Sequence, residues 1–161
     1  MPSLSLRPAT LADAKRIFEV YCQSPSYFEI ISIPLPTLEE VERELEAATH
    51  DPKRRTELMV LPDTGDPHCE HVVGYLDYKL DYPEAGDATV NLLLIPEALQ
   101  SRGYGRLCVA ELETQLKGRA KRVLASIYGR NPRAERFWRS LGYTFAIDAK
   151  PILDWYAKEL E

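Results

Sequence analysis

The sequence predicts one α/β domain built on a mixed sheet. Apolar residues recur at helical spacing in two early and two later segments, separated by runs of strand length that alternate or stay apolar. The resulting order is β, α, α, three strands, then α, β, α and one or two closing strands. The 161 residues are 45% hydrophobic and 28% charged, with 8 Gly and 12 Pro. A chain of this size removes about two-thirds of its unfolded surface from water, so it needs no disulfide or metal staple. No repeat, low-complexity tract or linker divides it, so residues 1–161 are read as a single domain.

Residues 3–7 point Leu4 and Leu6 to one side, as a short strand does. Thr10-Leu11-Ala12-Asp13 then has the form of a capping box and opens a helix whose inner face is Leu11, Ala14, Ile17, Phe18 and Tyr21. Ser24-Pro25 ends it and leads into a short turn through Tyr27, Phe28, Ile30 and Ile31. A second capping box, Thr37 to Glu40, starts a helix with Leu38, Val41, Leu45 and Ala48 on one face, closed at Asp51-Pro52.

The period then changes. Residues 57–61 and 71–80 are extended runs, and the turn formers of 62–67 between them read as a hairpin loop. A second turn at 82–87 precedes 88–95, which is nearly continuous apolar and therefore a central strand covered on both faces, stopped by Pro96. The next helix carries Gly105, Cys108, Val109, Leu112 and Leu116 in one stripe and ends at Gly118. A strand at 123–128 follows. Asn131 is a good N-cap with Pro132 at the first helical position, and Ala134, Phe137 and Leu141 face inward until Gly142. Residues 143–149 read as a strand. Residues 152–160 fit a strand through Leu153, Trp155 and Ala157 and a helix through Ile152, Trp155, Tyr156 and Leu160.

No apolar run approaches the roughly 20 residues of a membrane span, and the N-terminus lacks the pattern of a secretion signal. Cys22, Cys69 and Cys108 are odd in number and widely spaced, which suits a reducing compartment, with each expected as a small buried hydrophobe. A cytoplasmic chain without a membrane partner is expected. His68-Cys69-x-His71 gathers metal-ligand types, but neighbours on an extended segment point to opposite faces and no fourth ligand lies near, so no metal is expected.

Net charge is −5 but unevenly placed: residues 1–100 carry 8 Lys+Arg against 18 Asp+Glu, and residues 101–161 carry 12 against 7. The later half is therefore suited to an anion and the earlier half to a cation. An acidic chain with no basic stripe interleaved with aromatics does not suit nucleic acid.

Chemistry concentrates at Gln100-Ser101-Arg102-Gly103-Tyr104-Gly105-Arg106, between the buried strand and an amphipathic helix. A loop entering a helix start turns unpaired backbone N–H groups toward one point, and phosphate is their natural guest. Arg102 and Arg106 stand where a cation is unfavourable to the helix dipole, so a ligand is the better reason for them. The segment is neither a P-loop nor a Gly-x-Gly-x-x-Gly dinucleotide turn.

These residues resemble the GNAT superfamily of acetyl-CoA-dependent N-acetyltransferases. Residues 100–105 fit its Gln/Arg-x-x-Gly-x-Gly/Ala pyrophosphate loop, and residues 131–143 fit its Asn-x-x-Ala-x-x-Phe-Tyr-x-x-Leu-Gly-Phe segment. The resemblance runs over nearly the whole chain. It implies a central twisted sheet of six to seven strands, mixed but largely antiparallel, flanked by about four helices, with 152–161 as the last strand. It implies acetyl-CoA as co-substrate and acetyl transfer to a primary amine of a small molecule or peptide by direct attack. The backbone at Leu93 and Ile95 would pair with the pantetheine arm, and Gln100, Ser101, Arg102, Gly103, Tyr104, Gly105 and Arg106 would hold the pyrophosphate. Asn131 would touch the pantetheine or acyl end.

One departure matters. Where the family often has a Tyr to protonate the leaving thiolate, this chain has Trp138, whose indole is no general acid. Tyr128 or Tyr143 could supply that proton instead, or the chain could be an acyl-CoA-binding sensor without turnover. Glu29, Asp77, Asp87 and Tyr78 are base candidates by type, beside a base acting through water. Residues 27–31 and the region before Ala88 should form the acceptor side, where the acidic excess favours a cationic acceptor such as a polyamine, amino sugar or peptide amine. C-terminal strand edges could pair two copies, so the chain is expected as a monomer or a homodimer.

Overall fold

The computed structural model describes residues 4–62, 70–128, 130–150 and 153–160. Seven strands form one sheet in the order β1-β2-β3-β4-β5-β7-β6. They are β1 (Ser5–Pro8), β2 (Arg54–Pro62), β3 (Glu70–Leu80), β4 (Asp87–Leu94), β5 (Arg122–Tyr128), β6 (Thr144–Lys150) and β7 (Leu153–Glu159). Only β4 and β5 are parallel, joined by a crossover helix as a parallel pair requires; every other neighbour is antiparallel.

Three helices, α1 (Ala14–Cys22), α2 (Pro25–Ile31) and α3 (Leu38–Thr49), precede β2, and α4 (Tyr104–Leu116) and α5 (Pro132–Ser140) flank β5. The two faces of the sheet have separate cores. Ile17, Val20, Phe28, Val41 and Leu45 pack on Leu58, Tyr75 and Leu94. On the other face Cys108, Val109, Leu112 and Trp138 pack on Leu76, Val90, Val123 and Tyr143.

The helix starts follow their capping residues. The Asp13 carboxylate accepts the Thr10 N–H at 2.9 Å, and a 3-10 turn at Leu11–Asp13 precedes α1. At α3 the Glu40 N–H donates to Thr37 Oγ1 at 3.2 Å and the Thr37 N–H donates back to Glu40 Oε1 at 3.1 Å.

Several expectations need correction. The segment after Ser24 is a helix, because Pro25 sits at its first turn and Phe28 is buried against the α1 side of the sheet. This makes five α-helices. β2 begins at Arg54, three residues before the apolar run, because Arg54, Arg55 and Thr56 pair with Lys79, Tyr78 and Asp77. The ambiguous C-terminus is β7, inserted between β5 and β6, and pairing on both sides decides against the helix. Cys108 is buried as expected, but Cys22 is exposed at the end of α1. Most of the 62–67 loop, together with His68 and Cys69, lies outside the described residues. No described helix is long and apolar enough to cross a membrane.

Candidate active site

β4 and β5 run together only at their start. Their register extends from Asp87↔Arg122 to Val90↔Ala125 and stops. On the other side of β4, Tyr78 faces Val90 and Asp77 faces Leu92, so Asn91 is an extra residue without a β3 partner. Such a bulge bends and twists its strand. Beyond it β4 and β5 separate, and a cleft opens on each face of the sheet. Tyr27, Ile30, Asn91, Leu92 and Tyr128 line both. The polar Asn91 inside the apolar run 90–95 is the sequence signal for this bulge.

The cleft on the α4 side has a volume of about 400 Å³ and is lined by residues 90–95 in and just after β4, residues 99–101 and 103–106 leading into α4, and the start of α5. Leu93, Ile95, Gln100, Ser101, Gly103, Tyr104, Gly105, Arg106 and Asn131 all line it, whereas Arg102 is exposed and is not among its lining residues. Gly103 caps α4 at φ +89°, and a Cβ there would meet nothing, so backbone conformation is what requires the glycine. Ser101 is also left-handed, at φ +63°. Left-handed residues in such a turn gather backbone N–H groups into an anion-binding concavity. The first α4 amide to donate within the helix is Leu107, to the Gly103 carbonyl at 3.0 Å, which leaves those of Tyr104, Gly105 and Arg106 for a ligand. Arg102 and Arg106 have no ion-pair partner among the described residues.

Gly105 has a different role. A Cβ on it would lie 3.0 and 3.1 Å from the Phe137 ring and 3.3 Å from Ile95 Cδ1, so its absence lets α4 and α5 close the cleft floor. Gln100 turns inward, its Nε2 donating to the Ile95 carbonyl at 2.9 Å. Glu97 ties the same loop to α2: its carboxylate accepts the Ser26 N–H at 2.8 Å and its own N–H donates to the Gln23 carbonyl at 2.9 Å. Asn131 caps α5, its Oδ1 accepting the Ala134 N–H at 3.1 Å.

The cleft on the α3 side is larger, about 1260 Å³. Its floor holds Asp77, 6% exposed, which accepts from Arg54 Nη2 at 2.7 Å and Arg54 Nε at 3.2 Å. Burial pushes the Asp77 carboxyl above the usual carboxylate range, and the Arg54 guanidinium opposes that shift. Tyr128 ends β5 where the two clefts meet. Burial raises its phenol above the ordinary tyrosine value, so it keeps its proton at neutral pH.

Thus Tyr128 and Asp77 reach the clefts and the other predicted acid–base residues do not. Tyr143 is fully buried beneath α4, where its hydroxyl donates to Glu113 at 2.8 Å and its ring packs on Trp138. Glu29 is exposed on α2 and lines neither cleft. Asp87 accepts two hydrogen bonds from Arg122 at 2.8 and 3.1 Å and fastens the joined end of β4 and β5. Tyr78 is buried under α4 beside Glu57. One oxygen of Glu57 has no hydrogen-bond partner among the described residues, and burial pushes its carboxyl up. Arg54, Arg43 and Arg130 are among the cleft residues that sequence reasoning missed, and none sits in a motif.

The parallel strand pair is thus spread by a bulge, with a phosphate-type helix start beside the opening. The acetyltransferase (GNAT) domain matches residues 3–144, and the chain belongs to that family. An acetyltransferase from Thermus thermophilus is 42% identical over 99% of this chain and 100% of its own, with a TM-score of 0.89. Two more distant structures share the fold. A spermidine N-acetyltransferase from Vibrio cholerae, in complex with CoA and spermine, is 14% identical with a TM-score of 0.75 over 98% and 96% of the two chains. An acetyltransferase from Salmonella typhimurium that modifies the N-terminal serine of ribosomal protein L7/L12 is 14% identical, TM-score 0.79, over 99% and 96%. No curated protein matches the chain.

Proposed function

We propose that this chain is a cytoplasmic acetyl-CoA-dependent N-acetyltransferase acting on a primary amine of a small molecule or peptide. The observation that carries the proposal is the meeting of two clefts at Tyr128 between β4 and β5. One cleft suits a polyanionic donor and the other an acceptor.

Acetyl-CoA supplies a thioester whose carbonyl a neutral amine attacks directly. The β4 edge past Val90, without a β5 partner, offers the Leu93 backbone to an extended pantetheine arm, and just beyond the strand Ile95 offers its N–H, its carbonyl being held by Gln100. The amides of residues 101–106 with Arg102 and Arg106 hold the pyrophosphate. Asn131 lies along the pantetheine path while capping α5. Backbone N–H groups at the bulge face the position where negative charge develops on the carbonyl oxygen. Tyr128, protonated and partly buried, gives its proton to the leaving sulfur. Asp77 is engaged by Arg54, so loss of the amine proton runs through water in the open acceptor cleft.

A second reading, an acyl-CoA-binding protein without transfer, draws on Trp138, which is 5% exposed and packs on Phe137 and Tyr143. Two measurements separate the readings. Acetyl-CoA at about 100 times its dissociation constant should add about 2.7 kcal/mol and raise the unfolding midpoint by roughly 5 to 10 °C, with ATP and NAD as controls. Thiol release in the presence of amines then identifies the enzyme. A shift without thiol release selects the binding protein, and no shift with millimolar acetyl-CoA removes both.

A further inference from the structure

Two clefts that pass a group between them must keep their walls in register, and one short helix belongs to both. Ser26, Tyr27 and Ile30 of α2 line the donor cleft, and Tyr27, Phe28, Ile30 and Ile31 line the acceptor cleft. α2 has only seven residues, too few to be stable on its own helical bonds, so its place depends on what holds it from outside. Phe28, 5% exposed, anchors its inner face in the core. Its first turn is held in another way.

A helix start needs an acceptor for its orphan N–H groups, and the residue before α2, Ser24, is of a type that normally supplies one. Here it does not. The Ser24 hydroxyl is buried and donates away from α2, to the Val20 carbonyl at 2.8 Å and the Ile95 carbonyl at 3.3 Å. The acceptor comes instead from 71 residues along the chain: Glu97 Oε1 accepts the Ser26 N–H at 2.8 Å. The Glu97 N–H adds a second bond, to the Gln23 carbonyl at 2.9 Å. Hydrogen bonds from the Ser26 side chain and backbone hold the Glu97 carboxyl below the ordinary glutamate range, so it is charged at neutral pH.

Glu97 is fixed in turn by the donor side. It opens a 3-10 turn, Glu97–Leu99, between the end of β4 and the glycine-containing loop. The Ile95 carbonyl, just before that turn, accepts from Gln100 Nε2, just after it, at 2.9 Å. The stretch from Ile95 to Gln100 is thus closed on itself, and a ligand that fixes Ile95 and residues 101–106 also fixes Glu97.

Resting on the reading of the first cleft as the acetyl-CoA site, we propose that Glu97 is a positioning residue: it carries the order that a bound coenzyme imposes on the donor loop into α2, and so sets the wall of the acceptor cleft. Coupling of this kind is a free energy shared by two sites and acts in both directions, so an occupied acceptor cleft should also tighten coenzyme binding.

The test is amide hydrogen exchange of the wild type, Glu97→Ala and Glu97→Gln, each with and without coenzyme A. In the wild type, saturating coenzyme should slow exchange at residues 99–106 and, by about fivefold or more, at residues 26–31 of α2. Glu97→Ala should keep the slowing at 99–106 and lose that at 26–31. Glu97→Gln, whose amide oxygen still accepts the Ser26 N–H, should keep both. The Glu97 side chain is exposed, so neither variant opens a hole in the core, and the heat of coenzyme A binding checks that each is folded. With an amine that releases thiol, Glu97→Ala should also raise the KM for that amine by about fivefold, and Glu97→Gln should restore it. Slowing of α2 that survives in Glu97→Ala overturns the proposal, because direct contact with the coenzyme then accounts for it. Wild-type slowing confined to 99–106 overturns it as well, as does a glutamine variant that behaves like alanine or an amine KM that none of the substitutions moves. Coenzyme A at millimolar concentration that slows neither segment of the wild type overturns the donor-site reading beneath the proposal.

Discussion

The two clefts that meet at Tyr128 are made of different material. The donor cleft is mostly backbone: an unpaired strand edge, the first turn of α4 and left-handed residues at 101 and 103. The acceptor cleft is mostly side chains from α2, α3, β2, β3 and the loop after β5, held by ion pairs on Arg54. A backbone site depends on a few local residues and tolerates change elsewhere. A side-chain site depends on partners far apart in sequence, and losing one of them leaves another buried without compensation.

The sharpest way to break that comparison is Arg54→Met, which strands the Asp77 carboxylate at the acceptor floor. Loss of one partner of a buried pair costs about 3 kcal/mol, or roughly 6 to 12 °C in midpoint for a chain this size, and Arg54→Met with Asp77→Leu should recover much of it. Thermal unfolding of the three proteins measures the coupling; an additive double variant would show that the pair is not a unit.

Next in size is Tyr128→Phe. Losing a general acid should lower kcat by about 100-fold with little change in acetyl-CoA binding. Because burial raises the Tyr128 phenol, the wild-type rate should show no alkaline fall from this group below the ordinary tyrosine range. A rate that falls between pH 8 and 9 through loss of an acid would assign that role elsewhere.

On the donor side, Gly105→Val should weaken acetyl-CoA binding by about 2 kcal/mol, roughly thirtyfold, because the new side chain meets Phe137 and Ile95 where the floor closes. Calorimetry reads this directly. Unaltered binding would mean that the pyrophosphate loop sits apart from that floor.

The smallest effect lies outside both clefts. Glu57 is buried with an unpaired oxygen, and its folded-state carboxyl titrates above the ordinary value. Its charged form is therefore disfavoured in the fold, so wild-type stability falls as pH rises from the ordinary glutamate range through the folded-state value. Glu57→Gln should add about 1 kcal/mol at pH 7 and flatten the pH dependence of the midpoint above the ordinary glutamate range. A less stable variant with unchanged pH dependence would locate the titration in another group.

The backbone cleft was legible in the sequence because its determinants are contiguous. The spacing from Gln100 to Gly105, the apolar strand before it and the Asn131-Pro132 helix start each lie within one short segment, where local conformation decides the outcome. The same is true of both capping boxes and of the change from helical to strand period, read at residue 57. Choosing between the two tyrosines proposed as acid required more. By type Tyr128 and Tyr143 are equivalent; their places at the cleft junction and beneath α4 come from opposite ends of the packing of α5 against the sheet.

What the sequence by itself determined is the kind of most elements and the glycine-containing loop at 100–106, since helix starts, turns and periodicity depend on neighbours within a few residues. Only the tertiary structure decided that residues 153–159 are a strand between β5 and β6, that Asn91 forms the bulge that spreads β4 from β5, and that Arg54 joins Asp77 and Glu44. Each of these depends on contacts between separate elements of the fold, and no local pattern records which carboxylate a guanidinium will find once the sheet has formed.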